Sequence, residues 1–155
     1  MNDMVLFVYD FDGVMTDNTV LVDENGVESV RVHRADGLAV AYFKKSGIKQ
    51  LILSTETNPV VQARASKLQI ECIHGVGDKR DVLTEYLEHE GIDAANVLYI
   101  GNDINDLEVM KIVGKSVAPQ DAHEQIKDIA DIVTKAKGGY GVIRELMDMH
   151  IRSAG

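Results

Sequence analysis

Residues 4–17 read MVLFVYDFDGVMTD, and this stretch decides the fold. Residues 5–9 are continuously apolar rather than alternating, the pattern of a strand covered on both faces. Asp10 and Asp12 stand two apart where the chain leaves that strand, and Gly13 lets it turn away. Shorter runs rich in Val, Ile and Leu predict further strands at 50–53, 97–100, 116–118 and 132–133. Between them lie segments of helical period with legible ends. Asp36 is placed to cap a helix running to Lys45, and Asn58 with Pro59 opens one reaching Leu68. Asp78 opens a third, whose stripe of Val82, Leu83, Tyr86 and Leu87 ends at Gly91, and two more are expected over 106–112 and 142–151. Strand and helix alternate after residue 35. The expected fold class is therefore α/β: a Rossmann-like parallel sheet with helices on both faces, formed as a single domain over 1–155.

One insertion interrupts the alternation. Residues 19–32, TVLVDENGVESVRV, place β-branched runs on either side of Asn25-Gly26, the strongest short hairpin signal. A β-hairpin over 19–33 is thus expected after the first strand. Two strands bury too little to stand alone, so Val20, Val22, Val30 and Val32 need a covering surface, for which a partner subunit is one candidate.

Composition narrows the partners. A chain of 155 residues suits one core, and 25 acidic against 16 basic residues give a formal net charge of −9. That field repels nucleic acid and anionic membrane surfaces, so a small anionic substrate needs a local cation to enter. The apolar run at 4–9 is too short for a signal segment, and no window approaches a membrane span. A cytoplasmic setting is expected, with which the lone Cys72 agrees, since it can form no internal disulfide. The five His are scattered without an i, i+4 pair, which argues against zinc.

Ligands of open parallel sheets collect beyond the carboxyl ends of the strands, so the residues following each expected strand are where chemistry belongs. After the first come Asp10 and Asp12, and carboxylates so spaced share a hard cation or divide the roles of nucleophile and acid. After the second come Ser54, Thr55 and Glu56, offering a hydroxyl and N–H groups to an oxyanion at the mouth of a helix. Lys79 opens the third helix, and Gly101-Asn102-Asp103-Ile104-Asn105-Asp106 follows the strand at 97–100. Taken singly, each piece has a bland explanation in turn, cap or solvated-charge chemistry. Together they all fall where the fold brings them to one rim.

In this order, Asp10-Phe11-Asp12-Gly13, Ser54, Lys79 and Gly101-Asn102-Asp103 with Asp106 resemble the four motifs of the haloacid dehalogenase superfamily. The short chain without a large cap domain, DGVMTD at 12–17, the hairpin and KGGYGVIRE at 137–145 resemble its capless sugar-acid phosphatases, which act on octulosonate 8-phosphates and nonulosonate 9-phosphates. The resemblance implies Mg²⁺-dependent phosphomonoester hydrolysis. Asp10 would attack phosphorus to form an aspartyl phosphate, and Asp12 would protonate the leaving alcohol and then activate water. Mg²⁺ would be held by the side chains of Asp10 and Asp103 and the main-chain carbonyl of Asp12. Ser54 and Lys79 would take phosphoryl oxygens, and Asp106 would fix Lys79 or a metal water. In such relatives the hairpins join into a homotetramer.

Glu56 with a downstream Lys67 is similar to the nonulosonate branch, whereas the octulosonate branch typically carries Arg at the first position. The two lie eleven residues apart, about 15 Å of rise if helical, so the Glu56 loop must fold back or a substrate must bridge them. Two departures from the family pattern stand out, the first crowding the loop after the second strand and the second bearing on substrate. Thr55 stands where Gly is common, and Tyr140 stands where the tail, which approaches a neighbour's site in the family, commonly has Arg. Two other classes compete: a receiver-type signalling domain, whose phosphoacceptor follows a central strand, and a non-catalytic assembly module, against which the complete acid, hydroxyl and Lys set argues.

Overall fold

The structure, a computed structural model, describes residues 1 and 3–155. Strand β1 (Leu6–Tyr9) is wholly buried, as its unbroken apolar run requires. Its alternate side chains feed two cores. Phe7 and Tyr9 join Phe11, Phe43, Ile52 and Ile100 on one face, while Leu6 and Val8 join Leu51, Leu83, Val97 and Tyr99 on the other. The chain continues through β2 (Leu21–Val22), β3 (Glu28–Ser29), α1 (Arg34–Lys45), β4 (Lys49–Leu53), α2 (Val60–Leu68), β5 (Glu71–Ile73) and α3 (Lys79–Glu90). It ends with β6 (Val97–Ile100), α4 (Leu107–Met110), β7 (Lys115–Ala118), α5 (Glu124–Ile129), β8 (Ile132–Val133) and α6 (Val142–Ala154). Six strands form one parallel sheet in the order β5-β4-β1-β6-β7-β8. β1 lies where the order reverses, the place at which a doubly wound sheet opens a crevice beyond its carboxyl ends. Among the described residues no helix is long and apolar enough to cross a membrane.

Two elements escape the sequence reading. β5 is a three-residue edge strand around the half-buried Cys72 with Glu71 exposed, too short to show a period. In α5 only Ile126 is buried, so its six residues carry no stripe. The helix expected over 106–112 begins instead as a 3₁₀ turn, Ile104–Asp106, and continues into α4.

The hairpin forms, with β2 and β3 antiparallel and the turn tightened by Asp23, whose Oδ1 accepts from Asn25 N and Val27 N, both at 2.9 Å. Its apolar residues divide. Val30 and Val32 lean on the core, whereas Val20, Leu21 and Val22 stay 47%, 69% and 59% exposed. Asn58 Nδ2 donates to Glu28 Oε2 at 3.2 Å and ties the hairpin to the entrance of α2.

Asp36 does not cap α1 as expected. His33 does, with Nδ1 accepting from Ala35 N at 3.2 Å. Asp36 is buried in the first turn, where its Oδ1 accepts from Arg144 N at 3.0 Å. It thereby caps α6, whose own cap residue, Gly141, has no side chain to offer. Burial raises the Asp36 carboxyl from 3.8 to about 6, against the Arg144 hydrogen bond and the charge of His33. The folded chain therefore keeps this proton longer than the unfolded chain, and stability from this group falls as pH rises from about 4 to about 6. Asp36→Asn retains the acceptor without the charge. Its stability advantage should open across that window and reach about 1–3 kcal/mol at pH 7. Urea unfolding at pH 4.5 and pH 7 measures it, and an equal difference at both values would contradict the assignment.

Candidate active site

The carboxyl end of β1 delivers Asp10 into a buried charge cluster. Asp10 Oδ1 accepts from Phe11 N at 2.7 Å and pairs with Lys79 Nζ at 3.0 Å. Asp78 caps α3, its Oδ1 accepting from Asp81 N at 3.0 Å, and so points Lys79 at the first helical position back under the sheet edge. The same ammonium lies 2.7 Å from Asp106 Oδ1, which also accepts from Tyr99 OH at 2.7 Å. Asp106 Oδ2 accepts from Asn102 N at 2.9 Å and Asp103 N at 3.2 Å and shapes the loop after β6. Asp106 is thus the hub of the site: it holds Lys79 and the loop at once.

Burial, and next the charge of Asp106, push the Asp10 carboxyl well above the usual range, with Lys79 pulling the other way. Burial also works against the Lys79 ammonium, but Asp10 and Asp106 together outweigh it and raise its pKa. With both carboxyls ionised around one ammonium, one negative charge would be in excess, which a divalent cation beside Asp10 would offset.

Asp12 lies half-buried above Asp10, its carboxyl raised first by burial and next by the charge of Glu56. The turn after it is built by Gly13 at φ +83°, whose N–H donates to the buried Thr16 Oγ1 at 3.2 Å. A Cβ on Gly13 would fall on the Asn102 amide, and one on Gly138 would fall on the Gly13 carbonyl oxygen. With Gly139 N donating to Val14 O at 3.0 Å, the glycines of the 138–141 tail lie against this chain's own loop after β1. Tyr140 is left exposed.

These residues open on a pocket of about 400 Å³ lined by Asp10, Asp12, Asn18, Thr55, Asn102 and Asp103. Ser54 lies buried at its edge, and its Oγ accepts from Glu56 N at 3.1 Å, leaving the hydroxyl proton free. A second pocket, of about 230 Å³, places Glu56 with Asp12, Asn18, Glu28 and Val60 beside the hairpin. Glu56 Oε1 also accepts from Thr57 N at 2.9 Å and Asn58 N at 2.8 Å at the entrance of α2. Lys67 is elsewhere. It lies in a groove between α1 and α2 with Arg34, Lys44 and Arg64, because α2 starts at the rim and carries it about 10 Å away.

Asp103 lines the pocket, but its Oδ1 accepts from Ile104 N at 2.7 Å as part of a capping box with Asp106. The residue facing Asp10 is Asn102, whose amide head stands 2.9 Å from Asp10 Oδ2 and 3.0 Å from the Asp12 carbonyl oxygen. A carboxylate oxygen and a carbonyl oxygen converging on one point are hard donors suited to a Mg²⁺-type cation. Sequence assigns Tyr99 no role, and it gives Asn102 only as part of the loop at 101–106. Tyr99 reads there as one more apolar strand residue, and Asn102 as a neighbour of the acid beside it.

This fold and site define a haloacid dehalogenase-like hydrolase: residues 38–146 match the model of that family, and the chain belongs to it. It is 33% identical over 151 residues to the 3-deoxy-D-manno-octulosonate 8-phosphate phosphatase of Escherichia coli K12, covering 97% of this chain and 80% of that relative. A solved hydrolase of the same family from Streptomyces avermitilis is 49% identical, with a TM-score of 0.92, over 94% of this chain and 83% of that one. The octulosonate 8-phosphate phosphatase of Moraxella catarrhalis, solved with magnesium ion, phosphate ion and KDO, superposes with a TM-score of 0.93 at 29% identity. That match covers 97% of this chain and 87% of the other.

Proposed function

We propose that this chain, a phosphatase of the haloacid dehalogenase-like family, hydrolyses a phosphorylated sugar acid with Mg²⁺ through an aspartyl phosphate on Asp10. The observation that carries the reading is the Asp10–Lys79–Asp106 cluster at the mouth of β1, beside the open Asp12 carbonyl. Asp10 and the Asp12 carbonyl would hold Mg²⁺, whose charge when bound would offset the repulsion between an anionic nucleophile and an anionic phosphate. The Asp10 carboxylate attacks phosphorus, and the bond from phosphorus to the sugar oxygen breaks as Asp12 delivers its proton to that oxygen. Asp12, now ionised, takes a proton from water, which cleaves the aspartyl phosphate to inorganic phosphate and restores Asp10. The free Ser54 hydroxyl proton and the Lys79 ammonium donate to phosphoryl oxygens as charge spreads over them. A single domain in the reducing cytoplasm suits the one unpaired Cys72.

Two substrates fit this reading. The similarity to the Escherichia coli and Moraxella octulosonate 8-phosphate phosphatases supports an octulosonate 8-phosphate. Glu56 supports a nonulosonate 9-phosphate, because it sits beside Asp12 and Glu28 in a mouth that offers acceptors to hydroxyls or an amine. On the second reading, Glu56→Arg should shift the ratio of kcat/KM for the two substrates toward the octulosonate by about tenfold, a difference of about 1.4 kcal/mol. An unchanged ratio would leave Glu56 only its role at the entrance of α2.

The exposed Val20, Leu21 and Val22 support a homotetramer joined through the hairpins. Light scattering at micromolar concentration should give a mass about four times that of the chain, and Leu21→Lys with Val22→Lys should reduce it. A monomeric parent chain would overturn this assembly.

A further inference from the structure

We infer that Tyr99 is a positioning residue of the phosphoryl-transfer step: its hydroxyl occupies one side of Asp106 Oδ1 and so holds Lys79 between Asp106, Asp10 and the incoming phosphoryl group. This rests on the phosphatase reading above and adds to it a residue that touches neither substrate nor metal.

Tyr99 is the third residue of β6. Leu98 and Ile100 face one core, while Val97 and Tyr99 face the other, among Leu83, Val109 and Met110. The side chain is fully buried, and a phenol hydroxyl buried among apolar side chains needs an acceptor. It meets one at its tip, Asp106 Oδ1 at 2.7 Å. Burial, and next the charges of Asp106 and Asp10, hold the Tyr99 phenol well above its ordinary pKa, so it stays a donor throughout the working range.

Asp106 is thereby saturated. Its Oδ2 accepts from Asn102 N at 2.9 Å and Asp103 N at 3.2 Å, and its Oδ1 from Tyr99 OH and Lys79 Nζ, each at 2.7 Å. A carboxylate offers about four acceptor positions, so with Tyr99 in place the ammonium approaches Oδ1 from one side only. Two of its three protons then go to Asp106 at 2.7 Å and Asp10 at 3.0 Å, and the third is left for a phosphoryl oxygen beside Asp10. Without the hydroxyl, Oδ1 lacks a donor. The two backbone N–H groups are fixed in the loop, whereas Lys79 is a point charge on a flexible stem. The ammonium therefore swings toward Asp106 and away from Asp10, where the phosphoryl group is received.

Tyr99→Phe removes the hydroxyl and keeps the ring. With Mg²⁺ in excess, kcat for p-nitrophenyl phosphate and for a phosphorylated sugar acid should both fall about tenfold, with KM within about twofold of the parent's. Inhibition by orthovanadate, whose five-coordinate form imitates the transferring phosphoryl group, should weaken about tenfold, and inhibition by inorganic phosphate less than about threefold. A hydroxyl that only braces the core would lower the melting temperature and leave kcat and vanadate affinity in place; that result would overturn the inference. The effect should also depend on the Asp106 charge. In an Asp106→Asn background, Tyr99→Phe should cost less than about twofold more, and a further loss of about tenfold would overturn the inference. If Tyr99→Phe alone fails to fold by circular dichroism, the double variant against Asp106→Asn carries the comparison, since it removes the charge together with the donor. A protein that hydrolyses p-nitrophenyl phosphate with this pattern and no sugar-acid phosphate would sink the proposed substrate alone, and one that hydrolyses neither would overturn both.

Discussion

Asp10→Asn is expected to lose phosphatase activity by about 10⁴-fold or more while melting no lower than the parent chain. The amide has nearly the same shape and keeps an oxygen for the Phe11 N–H, which Asp10 Oδ1 now receives at 2.7 Å. It cannot attack phosphorus, and it offers a cation no charge. Folding is spared because Lys79 remains paired with Asp106 at 2.7 Å, and the excess negative charge of the buried cluster is removed. Initial rates with a phosphorylated sugar acid and a thermal melt on the same preparation test both halves. Substantial residual turnover would remove the covalent route. Asp12→Asn serves as companion: it keeps the nucleophile and loses the proton donor, so slowing should be greatest for esters with poor leaving groups.

Lys79→Met is expected to show the largest loss of stability. It leaves Asp10 and Asp106 buried around the vacated ammonium position, with Tyr99 OH the main remaining donor to Asp106 Oδ1. Removing one partner of a buried charge cluster costs about 3–5 kcal/mol, or roughly 10 °C in a domain of this size. Two further signatures separate this from simple loss of packing. The deficit should shrink as pH falls, because without the cation the folded chain binds a proton more readily than the unfolded chain does. Adding Asp106→Asn should recover much of the stability and none of the activity. A variant as stable as the parent at pH 8 would show that the cluster is not charged as drawn.

The expectation of a helix cap at Asp36 fails for an instructive reason. Asp near the start of a helix reads as a cap because the nearest unpaired N–H groups belong to its own first turn. In the folded chain the neediest N–H lies 108 residues away at Arg144, beneath a helix that begins with glycine. The placement of Lys67 is nonlocal in the same way. Sequence places it eleven residues after Glu56, but only the direction of α2 decides that those residues lead away from the rim.

By itself the sequence determined that a buried parallel strand ends at Asp10, that Ser54, Lys79 and Asp106 follow strands or open helices, and that a hairpin interrupts the alternation. Those features rest on period and connectivity, which are local and survive any arrangement of the loops. Only the tertiary structure decided that Asn102, rather than Asp103, faces Asp10, because adjacent residues differ by one backbone rotation. That rotation is set by Asp106 accepting from both their N–H groups while it holds Lys79, which comes from the helix that follows β5. Which side chain enters the pocket is therefore a property of bonds between distant segments, and no spacing along the chain encodes it.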